Sequence, residues 1–340
     1  MATKPGPKAF SQILADLANE KYPPARHNLL ALSDLSGKQL EQFKQAWPAI
    51  ADARRLAILT RLGEIAEESF ELDIRAVSRA ALDDGDGGVR AAAIRNLWED
   101  EGEDLIEVFI HVLQHDESVE ARAAAATALG QYVFLGEMEE LDEGKARRVE
   151  ETLLNVWAGD DELDVRRRAL ESIGFASRPE AASAIEDAYD SDEEQLKLSA
   201  LFAMGRSLDS GRWGDTVIGD LAHDNPKVRF EAARAAGELQ LREAVPALSE
   251  VLHDVDGEVQ EMSVWALGEI GGDEAREALR ERLEDDISDD LSELIEDALA
   301  NAEFMDELSE MGLMEFDDGE AIDDGDEDDD DEIARKSRLN

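Results

Sequence analysis

Cysteine is absent from all 340 residues, which excludes disulfides, thiolate metal sites, iron–sulfur clusters and a cysteine nucleophile, and fits a reducing compartment. No run approaches the roughly 18 apolar residues of a membrane span, and no apolar segment follows the lysines and prolines of Met1 to Phe10, so the expected location is cytoplasmic. Positive charge is also in short supply. The chain has 34 basic against 83 acidic side chains, a formal charge of −49, and only nine of the basic residues are lysine. A field this negative repels phosphate backbones and anionic headgroups, so direct binding of nucleic acid or a membrane is not expected. What is plentiful is apolar surface: 43% of the residues, over a length that can bury a substantial core.

That apolar surface is periodic. The segment Val228 to Gly237 aligns without gaps to Val165–Gly174, Leu196–Gly205 and Val259–Gly268, and weaker copies run over Arg54–Gly63, Val89–Trp98, Ala121–Gly130 and Leu291–Ala300. Seven of the eight copies thus follow their predecessor by 31 to 44 residues, and only the 44 departs from a period of 31 to 35. The long interval is assigned to an acidic insertion around Gly136 to Gly144, expected as a loop. Each unit reads as two helices joined by a tight acidic turn. In the sixth, Val217, Ile218 and Leu221 form the first stripe, His223-Asp224-Asn225 the turn, and Pro226 the first residue of the second helix. Within the ten-residue motif, positions 0, +4, +7 and +8 project at about 0°, 40°, −20° and 80° and so share one face. In the sixth unit that face is Val228, Ala232, Ala235 and Ala236. The glycine at +9 is expected to stop the helix as a left-handed cap.

One such hairpin cannot bury both faces alone, so the units must stack, and the expected fold is all-α: an α-α superhelix of about eight hairpins. The period, the turn aspartate and the Val-Arg-x-x-Ala-x-x-Ala-Leu-Gly pattern, clearest at Val165-Arg166 and Val228-Arg229, resemble HEAT repeats, especially the phycobilisome-lyase-type HEAT-like class. The resemblance covers roughly residues 40 to 300. Departures are Lys197, Gln260 and Ser292 at the arginine position and Trp98 at the glycine position.

Recurring pairs, Asp84 with Arg90, Asp116 with Arg122, Asp160 or Asp161 with Arg166, and Asp224 with Arg229, read as architecture: the aspartate accepts from the following helix and the guanidinium links neighbouring units. His115-Asp116, His223-Asp224 and His253-Asp254 look like a repeated ligand pair, but helix layers 8 to 10 Å apart cannot share one ion. Deoxyhypusine hydroxylase, an iron enzyme on a related HEAT scaffold, uses histidine followed directly by glutamate, a pair that does not occur here. The turn from Asp83 to Gly88 lacks the lysine of a phosphate loop, and the segment around Gly319 and Gly325 breaks the spacing of a calcium loop at Met314, Phe316 and Ile322. No catalytic, cofactor or metal residue is therefore assigned.

Positions +2 and +6 project opposite the core. In the fifth to seventh units they hold Leu198 and Phe202, Phe230 and Arg234, then Glu261 and Trp265. In proteins similar to this one the second helices line the concave wall, so these residues form either an apolar groove edged by Arg167 and Arg234 or a seam buried between adjacent helices. The chain divides into an N-terminal cap over 1–35, a solenoid over 36–302, a closing helix or linear motif over 303–316 that carries Phe304, Leu308 and Met311, and a disordered acidic tail over 317–340. The functional expectation is a non-enzymatic scaffold or adaptor whose concave face binds a protein with a basic or mixed basic–apolar surface. A chromophore lyase-like or chaperone factor, implied by the repeat class, and an acidic mimic of nucleic acid are the alternatives.

Overall fold

The computed structural model describes residues 9–68 and 72–310, with side chains described through residue 304; the acidic tail and the candidate calcium-loop glycines lie outside this range. Among the described residues there are eighteen α-helices and no strand. Two precede the repeats: α1 (Phe10–Leu17) and α2 (Arg26–Leu29), separated by the Pro23-Pro24 break. Eight hairpins follow. Their first helices are α3 (Gly37–Ala46), α5 (Arg75–Ala80), α7 (Asp104–His115), α9 (Glu143–Gly159), α11 (Pro179–Tyr189), α13 (Ser210–Asp220), α15 (Val245–Val251) and α17 (Gly272–Leu283). Their second helices are α4 (Asp52–Glu67), α6 (Gly87–Arg95), α8 (Val119–Glu137), α10 (Leu163–Ile173), α12 (Glu194–Arg206), α14 (Pro226–Glu238), α16 (Gly257–Ile270) and α18 (Asp289–Glu310). Each ten-residue motif starts on a second helix, and all but Val89–Trp98 and Val165–Gly174 lie wholly within it.

The apolar stripe is buried as its spacing demands. Val228, Ala232, Ala235 and Ala236 are at most 1% exposed. Pro226 occupies the first turn of α14, and the Asn225 side chain accepts from the Lys227 N–H to cap it. At the N-terminal end α1 packs on α2 and α3, and α2 on α4. Position 0 of the first motif is polar, and its side chain closes this end: buried Arg54 donates to the carbonyls of Leu17 at 2.6 Å and Tyr22 at 2.8 Å. Leu14 and Leu17 of α1 are buried with Phe43 and Trp47, which covers the apolar face of the first hairpin.

Successive second helices pack against one another at every step from α4 to α18. The first-helix layer is sparser, with its main contacts between α3 and α5, α7 and α9, α9 and α11, and α15 and α17. Alanine-rich stripes let the second helices approach closely, and a stack with one tighter layer bends toward it, so the second helices form the inner wall.

Three expectations are corrected. First, the +9 glycines are not left-handed caps: positive φ among described glycines occurs at Gly37, Gly271 and Gly272 only. Gly63, Gly130, Gly205, Gly237 and Gly268 lie inside helices and Gly174 follows α10 in right-handed conformation. Their role is contact with the next unit. A Cβ on Gly174 would stand 2.8 Å from the Ala203 carbonyl oxygen, on Gly237 2.9 Å from Ala266 Cα, and on Gly268 3.1 Å from Ala298 Cα. Each of those alanines is at +7 of the following motif, so glycine at +9 seats the small residue of its neighbour. Second, the insertion near Gly136 is taken up as helix. α8 runs 19 residues and α9 runs 17, leaving a short turn at 138–142. Third, residues 303–310 continue α18 rather than forming a separate element, and Phe304 is exposed. Met311 lies outside the described residues, as does the Leu308 side chain.

Candidate functional site: the inner wall

The wall is held in register by a ladder at the turns. Five residues before each of the second to seventh motifs, a side chain accepts the backbone N–H two positions on: Asp84 from Asp86, Asp116 from Ser118, Asp160 from Glu162, Ser191 from Glu193, His223 Nδ1 from Asn225, and Asp254 from Asp256. The +1 arginine then bridges forward. Arg55 reaches Asp84 at 2.8 Å, Arg90 reaches Asp116 at 2.6 Å, Arg122 reaches Asp160 at 3.2 Å and Arg229 reaches Asp254 at 2.6 Å. Within its own unit the arginine of the second, third and sixth units takes only the turn carbonyl: Arg90 on Asp84, Arg122 on Asp116, Arg229 on His223 and Asp224. The aspartate and arginine of one unit are therefore not an ion pair. The carboxylate belongs to the arginine of the preceding unit, and Asp224 contributes its carbonyl.

Two junctions lack the bridge because the receiving position is not acidic. Arg166 would meet Ser191; it turns back instead to the Trp157 carbonyl at 3.0 Å and stacks on that ring at 4.9 Å. Lys197 would meet His223, and lies over Tyr189 at 4.0 Å with Asp220 at 3.9 Å. From the His-Asp pair to the motif the sixth unit is one residue shorter than the third and seventh, which puts His223 where those two have aspartate. The three His-Asp pairs are thus not equivalent. His115 lies edge-on to His111, and His253 is 3.9 Å from Asp285. Among the described residues no group of three His, Cys, Asp or Glu side chains is arranged to hold a metal ion.

The +2 and +6 residues occupy the inner side of this frame. Leu198, Phe202, Phe230 and Trp265 are all half-buried, whereas Glu261 is exposed. Leu198 and Phe230 line one cleft of about 180 Å³ with Val259, rimmed by Lys227 and the carboxylates of Glu231, Asp256 and Glu258. Phe202 is covered: Arg234 stacks on it at 3.8 Å and Arg206 at 4.3 Å. Trp265 leans over Gly237, its ring 2.7 Å from where a Cβ would stand. Arg167 is tied to Ser199 at 3.0 Å and Gln195 at 3.1 Å. The structure joins Leu198 to Phe230 and separates that pair from Phe202.

Sequence reasoning missed the stack around Phe202. Arg206 also lies over Phe175 at 4.9 Å, and Phe175 meets Phe134 edge-on at 5.5 Å. Burial lowers the Arg206 pKa and raises that of nearby Glu238, whose carboxylate Arg234 engages at 2.5 Å. The signal was an aromatic at +10 of one motif and an arginine at +10 of the next, outside the ten positions that define the repeat.

A family model agrees with this architecture over two stretches of the chain. The family model for HEAT repeats matches residues 74–143 and 217–300. No curated protein matches the chain. Similar solved structures include YibA of Escherichia coli, at 17% identity over 79% of this chain and 98% of that one with a TM-score of 0.40. The CpcE–CpcF complex of phycocyanin lyase from Nostoc is 20% identical over 67% and 94%, TM-score 0.44. Human deoxyhypusine hydroxylase is 18% identical over 77% and 95%, TM-score 0.32. The two matched segments contain the second, third and seventh hairpins and most of the sixth and eighth, and the same layer pattern continues between them; both segments are HEAT repeats.

Proposed function

We propose that this solenoid is a non-enzymatic protein-interaction scaffold whose inner wall, across the fifth to seventh hairpins, receives a basic–apolar segment of a partner protein. The observation that carries the reading is the cleft between α12, α14 and α16. Leu198 and Phe230 offer an apolar floor, and Glu231, Asp256 and Glu258 outnumber Lys227 on the rim. An apolar side chain entering there would place a neighbouring lysine or arginine beside carboxylates, while the global charge of −49 speeds its approach. Arg167, Phe202, Arg234, Glu261 and Trp265 flank the cleft and shape its approaches. The test is cross-linking capture from native cells with the wild-type chain, Phe230→Ala and Glu258→Lys. Partners retained equally by all three would overturn the assignment of this cleft; partners lost from both variants with unchanged melting support it.

A further inference from the structure

The seating of +7 on +9 fails at one junction, and the failure opens a cavity. In the second unit +9 is Trp98, not glycine, and the third unit still presents a small residue, Ala128, at +7. A tryptophan cannot pass beneath an alanine at the separation where glycine does. α6 ends at Arg95, the chain continues as turn through residue 99, and Trp98 is left 60% exposed. Between α6 and α8 lies a cleft of about 420 Å³ in which Trp98 and Ala128 face the same space, with Ile94 and Ala124 beside them. Two further clefts, of about 250 and 200 Å³ toward α4 and α5, also have Trp98 in their walls.

The charge of the large cleft is opposite to that of the chain. Its charged lining residues are Arg95 and Arg168, and no carboxylate lines it. Each arginine engages one acid through a single nitrogen, Arg95 with Glu120 at 3.0 Å and Arg168 with Glu171 at 2.5 Å. A guanidinium has five N–H donors, so both retain capacity for a second carboxylate. An exposed tryptophan beside two arginines is the composition on which interface energy concentrates.

We infer that the Trp98 cleft is a second docking site, distinct from the Phe230 cleft, for an acidic–apolar partner segment: a large apolar side chain within a few residues of two or more carboxylates. The apolar anchor fills the gap left by the missing glycine, and its carboxylates meet Arg95 and Arg168. The chain's own residues 311–320 have this composition, with Leu313, Met314 and Phe316 next to Glu315, Asp317 and Asp318. They do not reach the cleft of their own molecule. Phe316 is six residues past the end of α18, at most about 22 Å of chain, whereas five helix layers separate α18 from α8, roughly 40 Å or more.

A labelled peptide copying residues 311–320 is titrated with the 340-residue chain at 0.15 M salt and followed by anisotropy. Saturable binding is expected, weakened at least tenfold by Trp98→Gly, which restores the residue of the repeat at an exposed position. The same loss is expected when Glu315, Asp317 and Asp318 of the peptide are changed to amides, and no loss with Phe230→Ala. No saturation, equal binding of a peptide carrying lysine at those three positions, or undiminished binding by a folded Trp98→Gly protein would each overturn the site. A concentration-dependent dimer abolished by Trp98→Gly would give the cleft to a second copy and overturn its assignment to another partner. Because the proposed function is read at Phe230 and this one at Trp98, either can fail without the other.

Discussion

Arg90 grips Asp116 of the following hairpin with two guanidinium nitrogens, at 2.7 and 2.6 Å, while its third holds the Asp84 carbonyl of its own turn at 2.6 Å. One side chain thereby fixes the start of its own helix and its offset from the next. The same acid also accepts the Ser118 N–H, so turn geometry and unit spacing are set by a single carboxylate.

Asp84 is the most enclosed acid of this ladder, accepting from Arg55 and from Trp47 Nε1, each at 2.8 Å. The Arg55 and Asp84 side chains are 8% and 3% exposed. Asp84→Ala takes from a buried guanidinium its enclosed carboxylate and leaves it the exposed Asp52 at 3.0 Å, and is expected to lower stability by up to about 3–5 kcal/mol. Asp84→Asn keeps an acceptor for Trp47 and loses less. Urea unfolding of both variants checks this, and equal, small losses would show that the pair is screened by water.

The glycine contacts predict a reversal of sign between two Gly→Ala changes. Alanine is ordinarily about 1 kcal/mol better than glycine inside a helix. At Gly237 the new methyl meets Ala266 Cα and the Trp265 ring, so a net loss of about 1–3 kcal/mol is expected. At Gly159, the last residue of α9, nothing lies within 4 Å, and the change is expected to be neutral or stabilising by a few tenths of a kcal/mol. Thermal melts that move the same way for both would refute the seating of +7 on +9.

Ser191→Asp restores the missing carboxylate opposite Arg166. The serine already accepts the Glu193 N–H, a bond aspartate reproduces. The gain is expected to be up to about 1 kcal/mol, reduced by the Trp157 stacking that Arg166 gives up. The melting temperature of Ser191→Asp should rise and that of Ser191→Asp with Arg166→Ala should not.

Acid stability follows from the carboxylates. Arg79 holds Asp100, and Arg229 holds Asp254, below the usual range. For Asp84 and Asp116 burial pushes upward, but Arg55 and Trp47 on the first, Arg90 on the second, and a backbone N–H on each outweigh it. Folded values below unfolded ones mean that this stabilisation is complete above the ordinary carboxylate value near 4 and is lost as pH falls through the lower folded values. Burial raises Glu150 and Glu238, which therefore oppose folding while charged and cease to on protonation. The melting temperature should hold or rise from pH 7 to about 5 and drop steeply below about 4, with the acid limb flattened in Asp116→Asn. A melting temperature that keeps rising below pH 3 would contradict this.

The stacked hairpins were legible because the buried stripe repeats at helical spacing within ten residues, as Val228, Ala232, Ala235 and Ala236 show. The ladder was half legible. Arg90 and Asp84 recur together in sequence, but the guanidinium spans a layer, so its acid lies in the next copy. Gly237 reads equally well as a helix stop or as a contact, and its partner Ala266 is brought near only by layer spacing. Phe230 was visible as an outward apolar residue; its pairing with Leu198 rather than Phe202 depends on the two arginines that fold over the Phe202 ring.

The bridge is missing at the junctions on either side of the fifth hairpin, where Ser191 and His223 replace aspartate. The turn ladder ties four of the seven junctions, and the two consecutive ties it leaves out lie at the middle of the coil, so compliance in the ladder gathers there. That stretch is next to the Phe230 cleft, so a change in the arc of the wall would be taken up beside it while the first three hairpins keep theirs.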